Sequence, residues 1–234
     1  MNTRVVIKIG FSWIKTSGKM LGSYLSLGMI MGLACFILFY NLAEDLLEQV
    51  LGQFDQNIAA SITIYNSPRV TEFMKLLTDM GSAAVMIGLA LLVIAGLVYY
   101  KNLYWDAGML TIALSGAFLM NYLLKLAFHR PRPDIMSLVQ ASGYSFPSGH
   151  AMASLAFYGM LAFLLWSYFK TSKMVYMGIL VLILLVLGIG ISRIYLGVHY
   201  PSDVLAGYAA AGVWLTGCIM ALNTLKSNRR IDAV

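Results

Sequence analysis

The stretch MVYMGILVLILLVLGIGIS, residues 174–192, decides the fold class of this chain, because nineteen consecutive residues carry no charged side chain. An α-helix needs ~20 apolar residues to cross a ~30 Å hydrocarbon core. Lipid leaves unpaired backbone groups unsatisfied, and no alternating strand pattern occurs in the sequence. We therefore predict an all-α membrane bundle of six transmembrane helices. The predicted spans are 21–43, 83–100, 107–128, 150–169, 174–192 and 201–223.

The composition agrees with a membrane-embedded protein. Of the 234 residues, 60% are hydrophobic and 11% are charged, whereas soluble domains are about 45–50% apolar and about 25% charged. A soluble fold of this length would leave much of its apolar surface exposed to water, and a disordered chain needs low hydrophobicity with high charge. The composition therefore excludes both a soluble globular domain and a disordered chain. The function therefore depends on the few polar residues within the bundle.

The segments outside the spans predict a single membrane domain, residues 1–234. The sequence contains no Ser/Gly-rich linker and no convincing internal repeat. Residues 1–20 combine basic and apolar side chains and predict a short cytoplasmic, interfacial segment. Residues 44–82 are amphipathic and predict two short extracytoplasmic helices at the membrane surface, the second beginning at Pro68. Asp55 is expected on the polar side of the first.

The formal charge of +6 is interpreted as membrane topology, and no nucleic-acid partner is expected. With the amino terminus inside, ten of the sixteen Lys and Arg residues fall on inner segments, in accord with the positive-inside rule. We expect a multi-pass protein of the cell membrane with both termini in the cytoplasm. Cys35 and Cys218 lie far apart in apolar stretches and are expected to be small core residues. Gly28 and Gly32 fit a helix contact within the protomer, so a monomer is favoured.

Ionisable residues collect at one end of the predicted bundle. Consecutive spans alternate in direction, so the third and fifth spans end, and the fourth and sixth begin, at the same extracytoplasmic face. Six side chains reach that face: Lys125, Arg132, His150, Arg193, His199 and Asp203. Burying such groups unpaired is expensive, so their convergence indicates a functional site.

The chemistry of this group indicates a phosphate ligand. A phosphate monoester carries about −1.5 to −2 charges near neutral pH, and Arg side chains bind its oxygens bidentately. The sequence Pro147-Ser148-Gly149-His150 begins the fourth span, where Gly149 and the helix amino terminus favour an oxyanion. His199 and Asp203 are about one helical turn apart, so we expect the carboxylate to accept a ring N–H.

Three motifs within residues 125–203 resemble those of the type 2 phosphatidic acid phosphatase superfamily, the lipid phosphate phosphatases. KLAFHRPRP, residues 125–133, is similar to the K-x6-R-P motif of that family, and PSGH, residues 147–150, to its second motif. Residues 192–203 are similar to S-R-x5-H-x3-D. The six-helix layout resembles the family over nearly the whole chain. Lys125 and Gly149 resemble bacterial phosphatidylglycerophosphate phosphatases more than undecaprenyl diphosphate phosphatases, which usually have Glu and P-S-D-H there.

The resemblance implies a role for each motif residue. His199 would attack the phosphorus atom and form a phosphohistidine, with Asp203 fixing its tautomer. His150 would protonate the departing lipid alcohol and then activate water. No metal or cofactor is implied. The residues implied to bind the phosphoryl oxygens are Lys125, Arg132, Ser148, Gly149 and Arg193.

Residues beside the motifs are expected to support the site. His129, Arg130 and Asp134 are assigned structural or rim roles, and Ser192 is expected to cap or orient Arg193.

The predicted function is metal-independent hydrolysis of a lipid phosphate, specifically phosphatidylglycerophosphate to phosphatidylglycerol. Undecaprenyl diphosphate and phosphatidate are alternative substrates. A transporter of anions or lipids is the alternative from a different class, but transporters place polar residues near the bilayer midplane, whereas here they gather at one end.

Overall fold

The computed structural model describes residues 3–64, 67–134 and 137–232. Within these residues the chain forms eight α-helices and no strand, which confirms the predicted all-α class. The helices are α1 (Thr3–Leu47), α2 (Gly52–Thr63), α3 (Pro68–Met80), α4 (Ala83–Lys101), α5 (Tyr104–Phe128), α6 (Gly149–Phe169), α7 (Lys173–Tyr195) and α8 (Pro201–Asp232).

Short polar signals set several of the helix ends. Ser67 accepts a hydrogen bond from the Val70 amide at 3.4 Å, and Pro68 occupies the first turn of α3, as expected for a helix start. Ser82 begins α4 in the same way. His129 ends α5 in the left-handed conformation, with φ of 49°, and turns the chain towards the loop that carries Arg130.

Helix α8 packs along α1, α6 and α5. Small residues let these helices approach closely. A Cβ atom added to Gly28 would lie 2.9 Å from the Met220 side chain, and one added to Gly116 would lie 2.2 Å from Trp214. The predicted contact at Gly28 within the protomer is confirmed by this packing against α8.

In the part of the chain that the structure describes, five helices are long and apolar enough to cross a membrane by length and composition: Leu25–Leu47, Tyr104–Phe128, Gly149–Phe169, Lys173–Tyr195 and Pro201–Ser227. The α3–α4 pair passes the same test as one element bent by 50°. Large apolar side chains such as Met29, Leu92 and Met177 are more than half exposed. An outer surface of this kind suits lipid, and the chain is a multi-pass membrane protein.

The first two spans and their connection differ in detail from the sequence expectation. Helix α1 runs without a break through residues 3–47, so the predicted amino-terminal segment and the first span are one helix. The side chains of Arg4, Lys8, Lys15 and Lys19, which the topology prediction used, lie outside the described part. Two helices, α2 and α3, occupy the 44–82 segment as predicted. The expectation for Asp55 was wrong: this carboxylate is only 2% exposed, because it pairs with Arg130.

Candidate active site

A pocket of about 380 Å³ lies where α5 and α7 end and α6 begins. Of the six ionisable residues predicted to converge, five line it and Asp203 lies behind. The wall also includes Thr78 and Asp79 of α3. Its other lining residues are Lys125, Arg132, Val139, Gln140, Ala141, Ser142, Gly149, His150, Arg193 and His199.

Backbone carbonyl groups fix the cationic side chains of this pocket. Arg132 donates to the carbonyl oxygens of Val198 at 2.7 Å, Ser142 at 2.9 Å and Gly143 at 3.1 Å. Lys125 donates to the carbonyl oxygen of Tyr144. Burial lowers the pKa of the Arg132 guanidinium, and the negative charge of Asp203 opposes this shift.

Arg193 is held from the opposite side of the pocket. Its guanidinium is 6% exposed, and Nη1 donates to the Thr78 hydroxyl at 2.7 Å. Its Nε atom is buried without a hydrogen-bond partner. Among the described residues, no carboxylate forms an ion pair with Lys125, Arg132 or Arg193. Three cations without a carboxylate ion-pair partner therefore line a space that suits an anion.

His199 connects the pocket to Asp203. The Nδ1 atom lies 3.3 Å from Asp203 Oδ2, and Nε2 lies 3.3 Å from Nη1 of Arg132. Burial lowers the pKa of His199 to about 4; the charges of Arg193 and Arg132 act in the same direction, and Asp203 opposes them. The ring is therefore neutral near pH 7. If Nδ1–H donates to Asp203, Nε2 carries the lone pair that faces the pocket, where it accepts a hydrogen bond from Nη1 of Arg132.

The carboxylate of Asp203 is completely buried and has further partners. Oδ2 accepts from the Tyr200 amide at 2.9 Å, and Oδ1 accepts from Arg130 at 2.7 Å. The second nitrogen of Arg130 lies 2.7 Å from Asp55, and its guanidinium stacks 3.9 Å above the Tyr200 ring. The sequence predicted a structural or rim role for Arg130 and gave no indication of its ion pairs with Asp203 and Asp55.

The start of α6 supplies the other wall of the pocket. His150 lines the pocket one residue inside the helix. The Ser148 hydroxyl is buried without a partner, while its amide donates to the Asp203 carbonyl at 2.9 Å. A Cβ atom on Gly149 would lie 2.8 Å from Asn121 Oδ1. Gly149 therefore permits close packing of α6 on α5 as well as access to the pocket.

Of the residues beside the motifs, Ser192 departs from the expectation, His129 agrees with a role outside the pocket, and Thr78 was not predicted. The Ser192 hydroxyl donates to the Ile189 carbonyl oxygen at 2.6 Å, so no hydrogen bond from it to Arg193 is seen. His129 packs edge-on against Tyr144, with ring centroids 4.5 Å apart, and does not line the pocket. Thr78 was missed, because a threonine in an amphipathic helix gives no sequence signal of a contact with Arg193.

The fold and the pocket define a membrane-embedded protein with a cationic site of suitable size for a phosphate group. Residues 106–227 match the family model of the PAP2 superfamily. The chain belongs to this superfamily, and it is a lipid phosphatase.

The chain is similar to curated phosphatases and to a solved phosphatase structure. The chain is 33% identical over 178 residues to phosphatidylglycerophosphatase B of Bacillus subtilis, covering 74% of this chain and 86% of that protein. It is 30% identical over 186 residues to lipid A 1-phosphatase of Rhizobium etli, covering 66% of this chain and 76% of that protein. The crystal structure of the PAP2-type phosphatidylglycerolphosphate phosphatase from Bacillus subtilis superposes with a TM-score of 0.76 at 28% identity, covering 81% of this chain and 94% of that chain.

Proposed function

We propose that this phosphatase hydrolyses phosphatidylglycerophosphate to phosphatidylglycerol and inorganic phosphate through a phosphohistidine at His199. One observation carries the proposal: the imidazole of His199, with Nδ1 3.3 Å from Asp203, lines a pocket whose cations have no carboxylate ion-pair partner among the described residues. The similarity to the Bacillus subtilis phosphatase supports the choice of substrate.

In the first half-reaction, His199 is the nucleophile. The lone pair of Nε2 forms a bond to phosphorus, and the bond from phosphorus to the lipid oxygen breaks with its electron pair on that oxygen. His150 donates the proton that makes this oxygen an alcohol. Asp203 stabilises the positive charge that develops on the His199 ring. The groups that neutralise the phosphoryl oxygens are Lys125, Arg132, Arg193, Ser148 and the backbone at Gly149.

In the second half-reaction, water replaces the lipid. His150, now neutral, accepts a proton from a water molecule as its oxygen attacks phosphorus. The bond from phosphorus to Nε2 breaks, the electron pair returns to the ring, and inorganic phosphate leaves. No step requires a metal ion, because the three cations supply the positive charge that phosphoryl transfer needs.

The membrane arrangement proposed with this activity has six spans in one domain. Helix α4 serves as the second span, and α2 and α3 lie at the interface. An even number of spans places both termini on one side, and the excess of cations on the inner segments favours the cytoplasm for them. The pocket then opens at the extracytoplasmic face, and the chain acts as a monomer.

The test is phosphate release by the purified protein in detergent with EDTA. The substrates are phosphatidylglycerophosphate, phosphatidate and undecaprenyl diphosphate. We expect phosphatidylglycerophosphate to give the highest kcat/KM and His199→Ala to lose at least about 1,000-fold in kcat. His129→Asn is the matched control, because it changes a histidine outside the pocket and Asn tolerates the left-handed backbone there.

Two results would contradict the proposal. Near-normal turnover by a folded His199→Ala variant would remove the nucleophile assignment, and loss of release in EDTA would remove the metal-free mechanism. A higher kcat/KM for another lipid would replace the substrate and leave the mechanism in place.

A further inference from the structure

A buried charge cluster, formed by Asp55, Arg130 and Asp203, lies directly behind the pocket. None of the three lines the pocket. Arg130 bridges the two carboxylates, with an N–O distance of 2.7 Å to each. Both carboxylates are almost completely buried. The guanidinium fork is suited to such a bridge, since it presents parallel donors in a fixed plane.

Asp55 also holds the start of α8. Its Oδ1 atom accepts from the Ser202 amide at 2.9 Å, and its Oδ2 atom accepts from the Ser202 hydroxyl at 2.8 Å. The first amides of a helix have no partner within the helix, and a carboxylate there is favoured by the helix dipole. Asp55 of α2 therefore caps the amino terminus of α8 at Ser202, the residue before Asp203.

The contacts of Asp203 divide between its two oxygens. Oδ1 faces Arg130, while Oδ2 accepts from the Tyr200 amide and faces Nδ1 of His199. The bond from Arg130 to Oδ1, together with the bond from the Tyr200 amide to Oδ2, therefore fixes the rotation of the carboxylate, and this rotation sets which oxygen reaches the imidazole. Without the guanidinium, two buried carboxylates would lie near each other with no counter-ion, which is strongly unfavourable.

We infer that Arg130 and Asp55 are positioning residues of the phosphatase: through the buried cluster they fix Asp203, and through Asp203 the ring of His199. This inference rests on the proposed role of His199. Asp55 lies outside residues 106–227, the part of the chain that matches the family model. The interfacial helix α2 is therefore part of the apparatus that orients the nucleophile.

The test compares steady-state kinetics of Arg130→Gln, Arg130→Lys and Asp55→Asn with those of the wild type. Groups that orient metal-ligating histidines commonly contribute about 10–100-fold to activity, and Arg130 would orient a catalytic histidine in the same indirect way. We expect kcat to fall about 100-fold in Arg130→Gln and about 10-fold in Arg130→Lys and Asp55→Asn. KM and competitive inhibition by inorganic phosphate should change less than about threefold, because the pocket cations are untouched. When Asp55→Asn is added to Arg130→Gln, kcat should fall little further, because the two residues act as one unit.

The matched control is Lys226→Gln. Lys226 pairs with the buried carboxylate of Asp106 at the other end of the bundle, so this change also removes the cation from a buried carboxylate but leaves the pocket intact. We expect its kcat to remain near the wild-type value.

The inference is overturned if Arg130→Lys and Asp55→Asn both keep kcat within threefold of the wild type. It is also overturned if phosphate inhibition weakens in parallel with kcat, which would make Arg130 a phosphate ligand, or if Lys226→Gln loses as much activity. If Arg130→Gln does not fold, the kcat values of Arg130→Lys and Asp55→Asn decide whether the inference stands. Failure of the proposed function is seen separately, as activity that survives His199→Ala.

Discussion

Replacing Thr78 with valine tests how the pocket holds its most buried cation. Valine has nearly the shape of threonine but no hydroxyl group, so the change removes the 2.7 Å hydrogen bond from Arg193 and little else. Thr78 is only 5% exposed and Arg193 only 6%, so water cannot readily replace the lost acceptor. The Nε atom of Arg193 already lacks a partner.

The size of the effect follows from the kind of hydrogen bond. A hydrogen bond to a charged group contributes about 1.5–3 kcal/mol. At about 1.36 kcal/mol for each factor of ten in rate, the loss corresponds to about 10- to 150-fold in kcat/KM if the guanidinium no longer holds the position that the phosphoryl group requires. The same change should also lower the free energy of unfolding by about 1–3 kcal/mol.

The assay is phosphate release from phosphatidylglycerophosphate, with the melting temperature in detergent measured in parallel. Thr78→Ser is the control, because it keeps the hydroxyl and should keep most of the activity. If Thr78→Val retains kcat/KM within threefold of the wild type, Arg193 does not depend on this acceptor, and the argument fails.

Two other predictions concern stability. The pKa of His199 is about 4 in the fold and about 6.5 when unfolded, so the unfolded chain binds the proton more tightly. Acidification from pH 7 to pH 4 should therefore lower the free energy of unfolding of the wild type by about 3 kcal/mol more than that of His199→Gln. An equal fall in melting temperature for both proteins would exclude this linkage. Gly116→Ala should lower the melting temperature, since its Cβ would lie 2.2 Å from Trp214, whereas Gly108→Ala has nothing within 4 Å and should not. Equal melting temperatures for these two alanine variants would show that the α5–α8 contact adjusts freely.

Much of the helical architecture could be predicted from hydropathy. The apolar stretches are long and uninterrupted, and helices are the structures that satisfy a backbone in lipid. The pairing of α2 with α8 could not be predicted in this way. Asp55 looks like a solvent-facing residue of an amphipathic helix, and its partner Arg130 lies 75 positions further along the chain. Periodicity reports the faces of one helix but carries no information about which distant residue meets them.

The residues that line the pocket were predicted better than the residues that hold them in place. Alternation of helix direction was enough to bring Lys125, His150 and Arg193 to one end, because each stands near a helix terminus. The contacts of Thr78 with Arg193 and of Asp55 with Ser202 depend on how the segment before the second span folds back over the pocket. That path is set by packing and by the 50° bend between α3 and α4, neither of which has a signature in local composition.

The wall that α3 contributes to the pocket has a consequence for how such enzymes diverge. The cations and histidines lie within residues 106–227, which match the family model, whereas Thr78 and Asp79 lie before it. Thr78 holds Arg193 through its hydroxyl, so a change there also disturbs a cation of the pocket. Asp79 is the α3 residue whose replacement would reshape this wall while the cations and histidines stay as they are.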